Sequence, residues 1–469
     1  MIKISPNTQV VLDNRQIQEN LHNTLHKTLA SRQSAVAEVE NWQALRQHAR
    51  SVKMHTLSRL VYYLEELERN VEGQGGHVIW AETGQEAVDF ILDLMHKKGA
   101  RKVVKSKSMM SEEIHLNEAF ALAQVETVET DLGEFIVQLA GEVPFHIVGP
   151  ALHKSRKEIS QLFEEKLGTA PTDDVHEIAD TARRLLRDHF LTTTVGITGV
   201  NFAVAESGTL AIVENEGNAR LSVSSPRIHI ALMGVEKVIP RVSDLAVFLK
   251  LLTRSATGQK ITSYVNLING SRREGEMDGP EEFYLVLIDN GRSRILADHY
   301  LRQTLACIRC GACQNICPVY QRIGGHAYAS TYQGPIGAIL TPQLSSTAAA
   351  PEHSYASSLC GACYEVCPVK IEIPHILLKL REKTQKEKDQ VASHISLERI
   401  GMQLWAWMMS SPTRFDLSGR LMRFFHKWLV VDGKIRMSLP LFHQWNLYRD
   451  LPVVPEHSFR ELYRRKEGL

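Results

Sequence analysis

The chain has 469 residues, 43% hydrophobic and 23% charged, which is the composition of an ordinary globular protein of about three domains. Its 54 Lys and Arg residues balance 53 Asp and Glu residues, and a net charge of +1 provides no overall field that attracts nucleic acid, so we expect no nucleic-acid partner. The N-terminus lacks the apolar core of a secretion signal, and the longest uncharged stretch, 323–351, is interrupted by glycine and proline. We therefore expect a cytoplasmic protein without a transmembrane segment.

Leucines and a tryptophan recur at helical offsets from Asn20 to about Leu67, which predicts an N-terminal helical arm over residues 1–70. After this arm, short strand-like runs alternate with amphipathic helical stretches, as in a largely parallel sheet covered by helices on both faces. The predicted strands are 77–81, 101–105 and the run FHIVGPA at 145–151, and the predicted helices are 85–96, 114–122, 155–167 and 175–190.

Residues 195–234 are rich in glycine and β-formers and predict further strands joined by tight loops. A helix near 243–254 and the strand-like run at 283–293 complete an α/β domain, which we place at 71–292. We expect a small α+β module, which contains all the cysteines, at 293–385. A helical extension follows at 386–469, and its aromatic faces would dock on protein or, less commonly, make peripheral contact with a membrane.

All seven cysteines lie within residues 307–367, and an odd, clustered set in a chain with no export signal points to metal or redox chemistry. The segment CIRCGACQNICP has the spacing C-x2-C-x2-C-x3-C-P that is typical of bacterial ferredoxins. In that arrangement three thiolates hold one 4Fe–4S cluster and the fourth reaches to another. Zinc also binds paired CxxC thiolates, but this spacing, repeated nearly whole, favours iron–sulfur chemistry. The four cysteines of the segment are Cys307, Cys310, Cys313 and Cys317.

A second copy, SSLCGACYEVCP, carries only three cysteines, because Ser357 stands at its first motif position. By the usual exchange, Cys367 completes the first cluster with Cys307, Cys310 and Cys313. The second cluster then has Cys317, Cys360 and Cys363. It is either a 3Fe–4S cluster or a 4Fe–4S cluster whose last iron is held by Ser357, another donor or solvent; alternatively, Ser357 is an ordinary capping serine.

Several motifs resemble those of the iron–sulfur subunits of L-lactate utilisation systems, of the LutB type, over nearly the whole chain. The motifs are KVVKSKSM, ETDLGE, GITGVNFAVAESGTL, NEGNAR, GPEEFYLVLIDNGRS and CIRCGACQNICPVYQRIGGHAY with GPIGA.

This resemblance implies an α/β LUD domain, with a fold like those of sugar-phosphate isomerases and CoA transferases, followed by a ferredoxin-like dicluster module. It also implies that the chain works beside a cysteine-rich CCG-domain subunit and a second LUD-domain subunit to oxidise L-lactate to pyruvate. A full dicluster pattern has Cys where this chain has Ser357.

Outside the cysteines, candidate ligand residues lie where loops follow strands, since ligands settle beyond the carboxyl ends of parallel strands. Lys105 and Lys107, with the serines after each, are candidates for an anion site, although such a turn can also be merely solvated. Glu206 lies in a tight turn, and Asn218 and Arg220 follow an expected hairpin; Arg220 is suited to clamp a carboxylate or to form a surface ion pair.

Two further groups of residues carry weaker expectations. His146 and His153, which flank the apolar run, are expected to be structural, and no catalytic residue is indicated. The glycines of RIGGHAY and GPIGA would let backbone approach a cluster, or simply form turns.

Three functions follow from these features. The first is an electron-transfer subunit that relays electrons through two clusters, with the LUD domain binding a partner or a small anionic substrate. The second is an enzyme in which an open iron of the three-cysteine cluster acts as a Lewis acid on a hydroxy acid. The third is a redox-sensing module that binds an anion.

Overall fold

A computed structural model describes residues 7–345, 352–391, 397–431, 434–435 and 451–467. The chain divides into two compact units at the Gln385–Lys386 bond. Within the described residues, no helix is both long enough and apolar enough to cross a membrane.

Apolar runs rich in valine, isoleucine and leucine form the central strands of the first unit, as expected for strands that are buried on both faces. The seven-residue strand IHIALMG is buried throughout its length. The strands of this unit are β1 His77–Ala81, β2 Lys102–Lys105, β3 Glu126–Glu129, β4 Val195–Gly199, β5 Phe202–Val204, β6 Thr209–Glu214, β7 Ile228–Gly234, β8 Val238–Ile239, β9 Tyr264–Ile268 and β10 Glu282–Ile288.

Six strands form one parallel sheet in the order β1-β10-β7-β4-β2-β3. From β2 the chain moves outward to β3 and then returns to place β4 on the opposite side of β2, so the direction of the sheet reverses between β2 and β4. Ligands of open α/β sheets bind beyond the carboxyl ends of strands at such a point. A second sheet, β8-β5-β6-β9, follows β4 and contains antiparallel pairs of β6 with β5 and β9.

Helices cover both faces of the parallel sheet, so successive side chains of β7 are buried in two different hydrophobic cores. Ile230 and Leu232 belong to the core on one face, and Ala231 and Met233 belong to the core on the other. The helices, with α18 ending beyond the unit boundary, are α1 Asn7–Asp13, α2 Arg15–Ala37, α3 Trp42–Ser58, α4 Leu60–Glu72, α5 Gly84–Lys97, α6 Met109–Glu113, α7 Leu116–Leu122, α8 Leu132–Ala140, α9 Arg156–Leu167, α10 Val175–Thr192, α11 Asn218–Ser224, α12 Val242–Ala256, α13 Arg292–Ala297, α14 Ala312–Ile316, α15 Tyr320–Ile323, α16 Gly334–Leu344, α17 Ala362–Val366 and α18 Ile373–Val391.

The predicted arm is a run of helices, α1 to α4, and the strands predicted at 77–81 and 101–105 correspond to β1 and β2. The run at 145–151 is not a strand but a series of bends and turns, and the strand that follows β2 is instead β3. Asn218 and Arg220 follow the antiparallel pair of β5 and β6, as expected, and both lie in the helix α11.

The cysteine-bearing segment contains helices and turns but no strand in the described residues 293–345 and 352–385, which differs from the α+β module expected. The two short helices α14 and α17 each begin after a glycine in left-handed conformation, Gly311 and Gly361, within a cysteine motif. Cysteines also lie in the loops before and after each of these helices. The module therefore consists of short helices and the loops that join them.

The second unit contains helices α19 Leu397–Met409, α20 Pro412–Phe425 and α21 Phe459–Glu467. Three two-residue strands form a small antiparallel sheet in this unit, β11 Val430–Val431, β12 Lys434–Ile435 and β13 Leu451–Pro452. Large apolar side chains of α19 and α20 are exposed, with Trp405 and Trp407 each more than half accessible to solvent (52% and 57%).

Candidate iron–sulfur and ligand-binding sites

Four cysteines from two distant segments line one small cavity of about 20 Å³. Three of them surround the N-terminal end of α14, and the fourth directly follows α17. We call these residues the first set: Cys307, Cys310, Cys313 and Cys367.

Burial makes the first set suited to a bound cationic group. Removal from water raises the pKa of Cys310 to about 12 and that of Cys367 to about 11, and it raises the pKa of Cys313 well above its ordinary value. Buried thiols of this kind become thiolates when a metal takes the place of the protons. Four sulfur donors fit an iron–sulfur cluster or zinc.

Backbone and arm groups hold the first set in position. The Arg309 N–H donates to Cys307 Sγ at 3.4 Å, and the Ile371 N–H donates to Cys367 Sγ at 3.3 Å. Arg46 of α3 is 3% exposed, and its guanidinium donates to the carbonyl oxygens of Cys367 and Tyr364 at 2.9 and 3.0 Å. The N-terminal arm is therefore part of the wall around these cysteines.

The remaining cysteines form a second set, in which Cys317 and Cys363 are buried and Cys360 is exposed. Burial, together with the nearby Cys317 and Cys360 thiols, raises the pKa of Cys363 to about 12. Cys360 is exposed, and hydrogen bonds from the Ala362 N–H and the Ser358 side chain lower its pKa.

Ser357 serves a turn in this structure. Its Oγ accepts a hydrogen bond from the Leu359 N–H at 3.1 Å, which is the local side-chain-to-backbone pattern expected for serine in a turn. The Arg381 guanidinium contacts its carbonyl oxygen at 3.4 Å.

The irregular run at 145–151 connects the α/β sheet to the cysteine module. The Tyr320 hydroxyl donates to the Phe145 carbonyl at 2.7 Å. His146 Nδ1 accepts hydrogen bonds from two backbone N–H groups, and its Nε2 lies 2.9 Å from Asn315 Oδ1. His146 is therefore structural, as expected. A Cβ on Gly325 would lie 1.7 Å from the Phe145 carbonyl oxygen, so this glycine is required for the close approach of the two parts.

His153 lies on the same connection. Its ring stacks on Phe145 at 4.7 Å between centroids, and its Nε2 lies 2.6 Å from Glu142 Oε2. Hydrogen bonding from His153, with Lys154 contributing, lowers the pKa of Glu142 to about 2.

A larger cavity, of about 300 Å³, lies beyond the carboxyl ends of β2, β4 and β7, at the point where the order of the sheet reverses. Its walls come from the loops after these strands, from α12 and from the cysteine segment. Arg309 and Cys310 line both this cavity and the small one of the first set. We call it the strand-end cavity.

Two of the five predicted ligand residues outside the cysteines line the strand-end cavity. These two residues are Lys107 and Asn218. The Lys107 ammonium donates a hydrogen bond to the Val148 carbonyl at 2.7 Å, and Asn218 is the first residue of α11. Glu206 is elsewhere and accepts the Val242 N–H at 3.0 Å. The Arg220 side chain is exposed and lies outside the cavity lining.

Lys105 is neither a solvated residue nor part of the cavity lining. Its side chain is fully buried, and its ammonium lies 2.7 Å from Glu129 and 3.2 Å from Glu112. Glu134 completes a cluster in which carboxylate oxygens of three glutamates lie within 4.8 Å of one another. Burial, with the nearby Glu129 charge, raises the pKa of Glu134 to about 8.

A buried ion network links the sheet to the cysteine segment, and no sequence motif predicted it. Arg292, with a fully buried side chain, binds both carboxylate oxygens of Glu113 at 2.8 Å and one of Glu236 at 2.6 Å. Arg309 binds the other Glu236 oxygen at 3.2 Å, and its guanidinium stacks over Tyr332 at 4.7 Å. These residues lie far apart in the chain and follow no local motif.

Two lysines surround this network. Lys53 of α3 is 2% exposed and donates to the Glu236 carbonyl; burial lowers its pKa to about 7. Lys237 lines the strand-end cavity, and burial, with the nearby Arg309 charge adding to the effect, lowers its pKa to about 8.

Comparisons with known proteins account for most of the chain. Residues 64–288 match the LUD domain, residues 303–371 match the 4Fe-4S dicluster domain, and residues 378–468 match the family described as lactate utilisation protein B, C-terminal. These matches confirm the resemblance inferred from the sequence motifs, and they support iron–sulfur binding in the cysteine segment.

Curated relatives match over nearly their full length. Lactate utilization protein B of Bacillus licheniformis is 43% identical over 459 residues, covering 97% of this chain and 95% of that protein. The protein of the same description from Oceanobacillus iheyensis is 44% identical over 450 residues, covering 96% and 93%. Among solved structures, a DUF162 family protein from Deinococcus radiodurans covers 49% of this chain and 98% of its own, with 11% identity and a TM-score of 0.28, which is too low to inform the fold.

Proposed function

The chain belongs to the lactate utilization protein B family, and from this premise we propose that it is the iron–sulfur electron-transfer subunit of an L-lactate-oxidising system. The first set would hold a 4Fe–4S cluster, and the second set would hold a 4Fe–4S or a 3Fe–4S cluster. Bound clusters supply sites that accept and donate one electron at a time.

The observation that carries this proposal is the shared cavity of the first set. Cys367 comes from the second motif, yet it lines the same cavity as the three cysteines of the first motif. This exchange of the last cysteine between motifs is the ligand pattern of two-cluster ferredoxins, and a single zinc knuckle would not require it.

The surroundings of the two sets favour a relay. Cys310 of the first set lines the strand-end cavity, whereas Cys360 of the second set is exposed. Electrons would therefore enter beside the strand-end cavity and leave near Cys360, toward an acceptor at the surface. The partners proposed for the complex are a CCG-domain subunit and a second LUD-domain subunit.

The arrangement also favours the relay over an open iron acting as a Lewis acid. The second set lacks a fourth cysteine, but none of its three cysteines lines the strand-end cavity. A hydroxy acid bound in that cavity would thus contact the wall of the complete set. No separate observation favours a redox-sensing module.

Iron and sulfide content, combined with electron paramagnetic resonance of anaerobically purified protein before and after dithionite, tests the proposal. About eight irons with two reduced clusters would support two 4Fe–4S clusters and require a non-cysteine ligand in the second set. About seven irons with a signal in the oxidised state would support a 3Fe–4S cluster there. Protein with zinc and no iron would contradict the proposal.

Electron transfer is tested in the reconstituted complex by lactate-dependent reduction of an artificial acceptor. Cys313→Ser should abolish this reduction, because Cys313 belongs to the first set. Unaltered reduction by a variant that has lost the first cluster would contradict the relay.

A further inference from the structure

The strand-end cavity contains cationic groups close to the first set. Arg309 lies between two cysteines of that set in the sequence, and its φ of 60° is in the left-handed region, which is uncommon for a residue with a side chain. This backbone conformation allows Cys307 and Cys310 to line the small cavity while Arg309 also lines the large one.

The guanidinium of Arg309 is only partly used by the protein. Its side chain is 7% exposed, and its Nη2 binds Glu236 at 3.2 Å. Its Nη1 is buried and makes no hydrogen bond to any group in the part of the chain that the structure describes. A buried guanidinium donor without an acceptor is costly unless a bound group supplies one.

Lys237 provides a second cation in the same cavity. It follows directly after Glu236, on the short helical turn Val235–Lys237 between β7 and β8. Across the described ranges, no hydrogen bond or ion pair engages its ammonium, whereas neighbouring Lys53 donates to the Glu236 carbonyl. In the part of the chain that the structure describes, no hydrogen bond therefore accounts for a lysine at this position, although the Glu236 charge lies nearby.

Acidic groups of the same cavity are already engaged. Glu214 accepts the N–H groups of Ala219 and Arg220 at 2.7 and 2.9 Å, and Glu216 accepts the Leu132 N–H at 2.9 Å. Glu236 is bound by Arg292 and Arg309, and Asp131, which also lines the cavity, accepts the Glu134 N–H at 3.1 Å. Arg309 and Lys237 therefore supply positively charged donors to this cavity.

We propose that the strand-end cavity binds a short-chain carboxylate through Arg309 Nη1 and the Lys237 ammonium, against the wall that Cys310 forms. An arginine and a lysine recognise a carboxylate by charge-assisted hydrogen bonds, and a cavity of about 300 Å³ accommodates a small organic acid. The choice of L-lactate and pyruvate as its occupants rests on the proposed function. Bound there, the carboxylate lies beside the wall that Arg309 and Cys310 form between this cavity and the small cavity of the first set.

The test is calorimetric titration of the purified holoprotein with L-lactate, with pyruvate and with L-lactamide, which has the size of lactate but no charge. The variant Lys237→Met removes one of the two cations. The matched control is Lys250→Met, which removes an exposed lysine of α12 outside the cavity lining. Iron content and reduction by dithionite are measured on the same samples.

We expect the wild-type protein and Lys250→Met to bind a carboxylate equally, Lys237→Met to bind it at least about tenfold more weakly, and lactamide to bind weakly or not at all. Stronger binding of lactate identifies the substrate as the occupant, and stronger binding of pyruvate identifies the product. Equal affinity of Lys237→Met and Lys250→Met, or equal affinity for lactamide and lactate, would overturn the proposal.

The same samples separate this site from the proposed function. Reducible clusters without carboxylate binding would remove the site and leave the relay in place. Carboxylate binding that depends on Lys237 in a protein without iron would remove the relay and leave the site.

Arg309→Lys provides a second test that retains the positive charge. The lysine side chain is shorter and carries its three N–H donors on one nitrogen, so it cannot span Glu236 and the ligand as the planar guanidinium does. We expect weaker carboxylate binding with iron content unchanged, and unchanged affinity in an iron-loaded variant would contradict the assigned role of Arg309.

Discussion

The two cysteine sets carry nearly the same motif, yet they lie in different surroundings. The first set is enclosed by the N-terminal arm and adjoins the strand-end cavity, whereas Cys360 of the second set is exposed. The motif spacing specifies which thiols can share a metal site. The tertiary contacts place the first set beside a cavity and one cysteine of the second set at the surface, and this difference would give the proposed relay its direction.

The largest expected difference between the sets is in cluster content. Cys313→Ser should lower the iron content of the first set, by up to about four irons, because a serine oxygen is a poorer ligand for an iron–sulfur cluster than a thiolate. Cys360→Ser should leave the first cluster intact and affect only the second set. Iron content and electron paramagnetic resonance of the two variants check this prediction, and loss of both clusters in Cys360→Ser would contradict it.

The next largest effect concerns the connection between the sheet and the cysteine module. Gly325→Ala places a Cβ 1.7 Å from the Phe145 carbonyl oxygen, so the connection must shift. We expect a loss of about 3 kcal/mol in the free energy of unfolding, measured by urea titration.

Gly149→Ala is the control for this substitution. Gly149 lies in the same connection, and an added Cβ would meet only Leu152, at an ordinary contact distance of 3.7 Å. Equal destabilisation by both substitutions would show that the close approach at Gly325 is not the cause.

A smaller effect is expected from the arm that encloses the first set. Arg46→Met leaves the carbonyl oxygens of Cys367 and Tyr364 without their buried donors, and we expect a loss of about 2 kcal/mol. Arg15→Met removes an exposed ion pair with Glu19 and should change the free energy of unfolding by less than about 0.5 kcal/mol. Thermal and urea unfolding measure both, and a neutral Arg46→Met would refute the structural role of the arm.

The smallest effect is expected at the incomplete position of the second set. Because Ser357 Oγ accepts a hydrogen bond in a turn, Ser357→Ala should cost about 1 kcal/mol and leave the iron content unchanged. Ser358→Ala, which removes a hydrogen bond to Cys360, is the neighbouring comparison. Loss of iron in Ser357→Ala alone would instead identify Ser357 as a ligand.

The elements that the sequence predicted correctly are those whose hydrophobic pattern is set by residues close together in the chain. The apolar runs of β1, β2 and β10 and the amphipathic face of α5 could be identified because each follows one period over its full length. The cysteine sets could be proposed from spacing alone, because cluster ligation imposes a spacing on the chain.

Elements that the sequence analysis missed depend on partners elsewhere in the chain. β3 has the sequence ETVE, which is too polar to be recognised as a buried strand. Its two glutamates form ion pairs with Lys102 and Lys105 of the neighbouring strand β2, and these lysines neutralise the glutamate charges. Helix α11 has no side-chain cap of its own, and Glu214 from β6 accepts its first N–H groups. The run at 145–151 is apolar because it packs against the cysteine module, not because it is a strand.

The sequence by itself determined the family, the alternating α/β pattern and the seven candidate cluster ligands, because each of these is specified by residues close together in the chain. Three placements could be seen only in the tertiary structure. Cys310 and Arg309 lie at the wall of the strand-end cavity, and Lys237 lies beside Arg309. Lys105 lies in a buried ion cluster. These placements depend on the order of strands in the sheet and on packing between distant segments. Such long-range contacts leave no periodic signal in a single sequence.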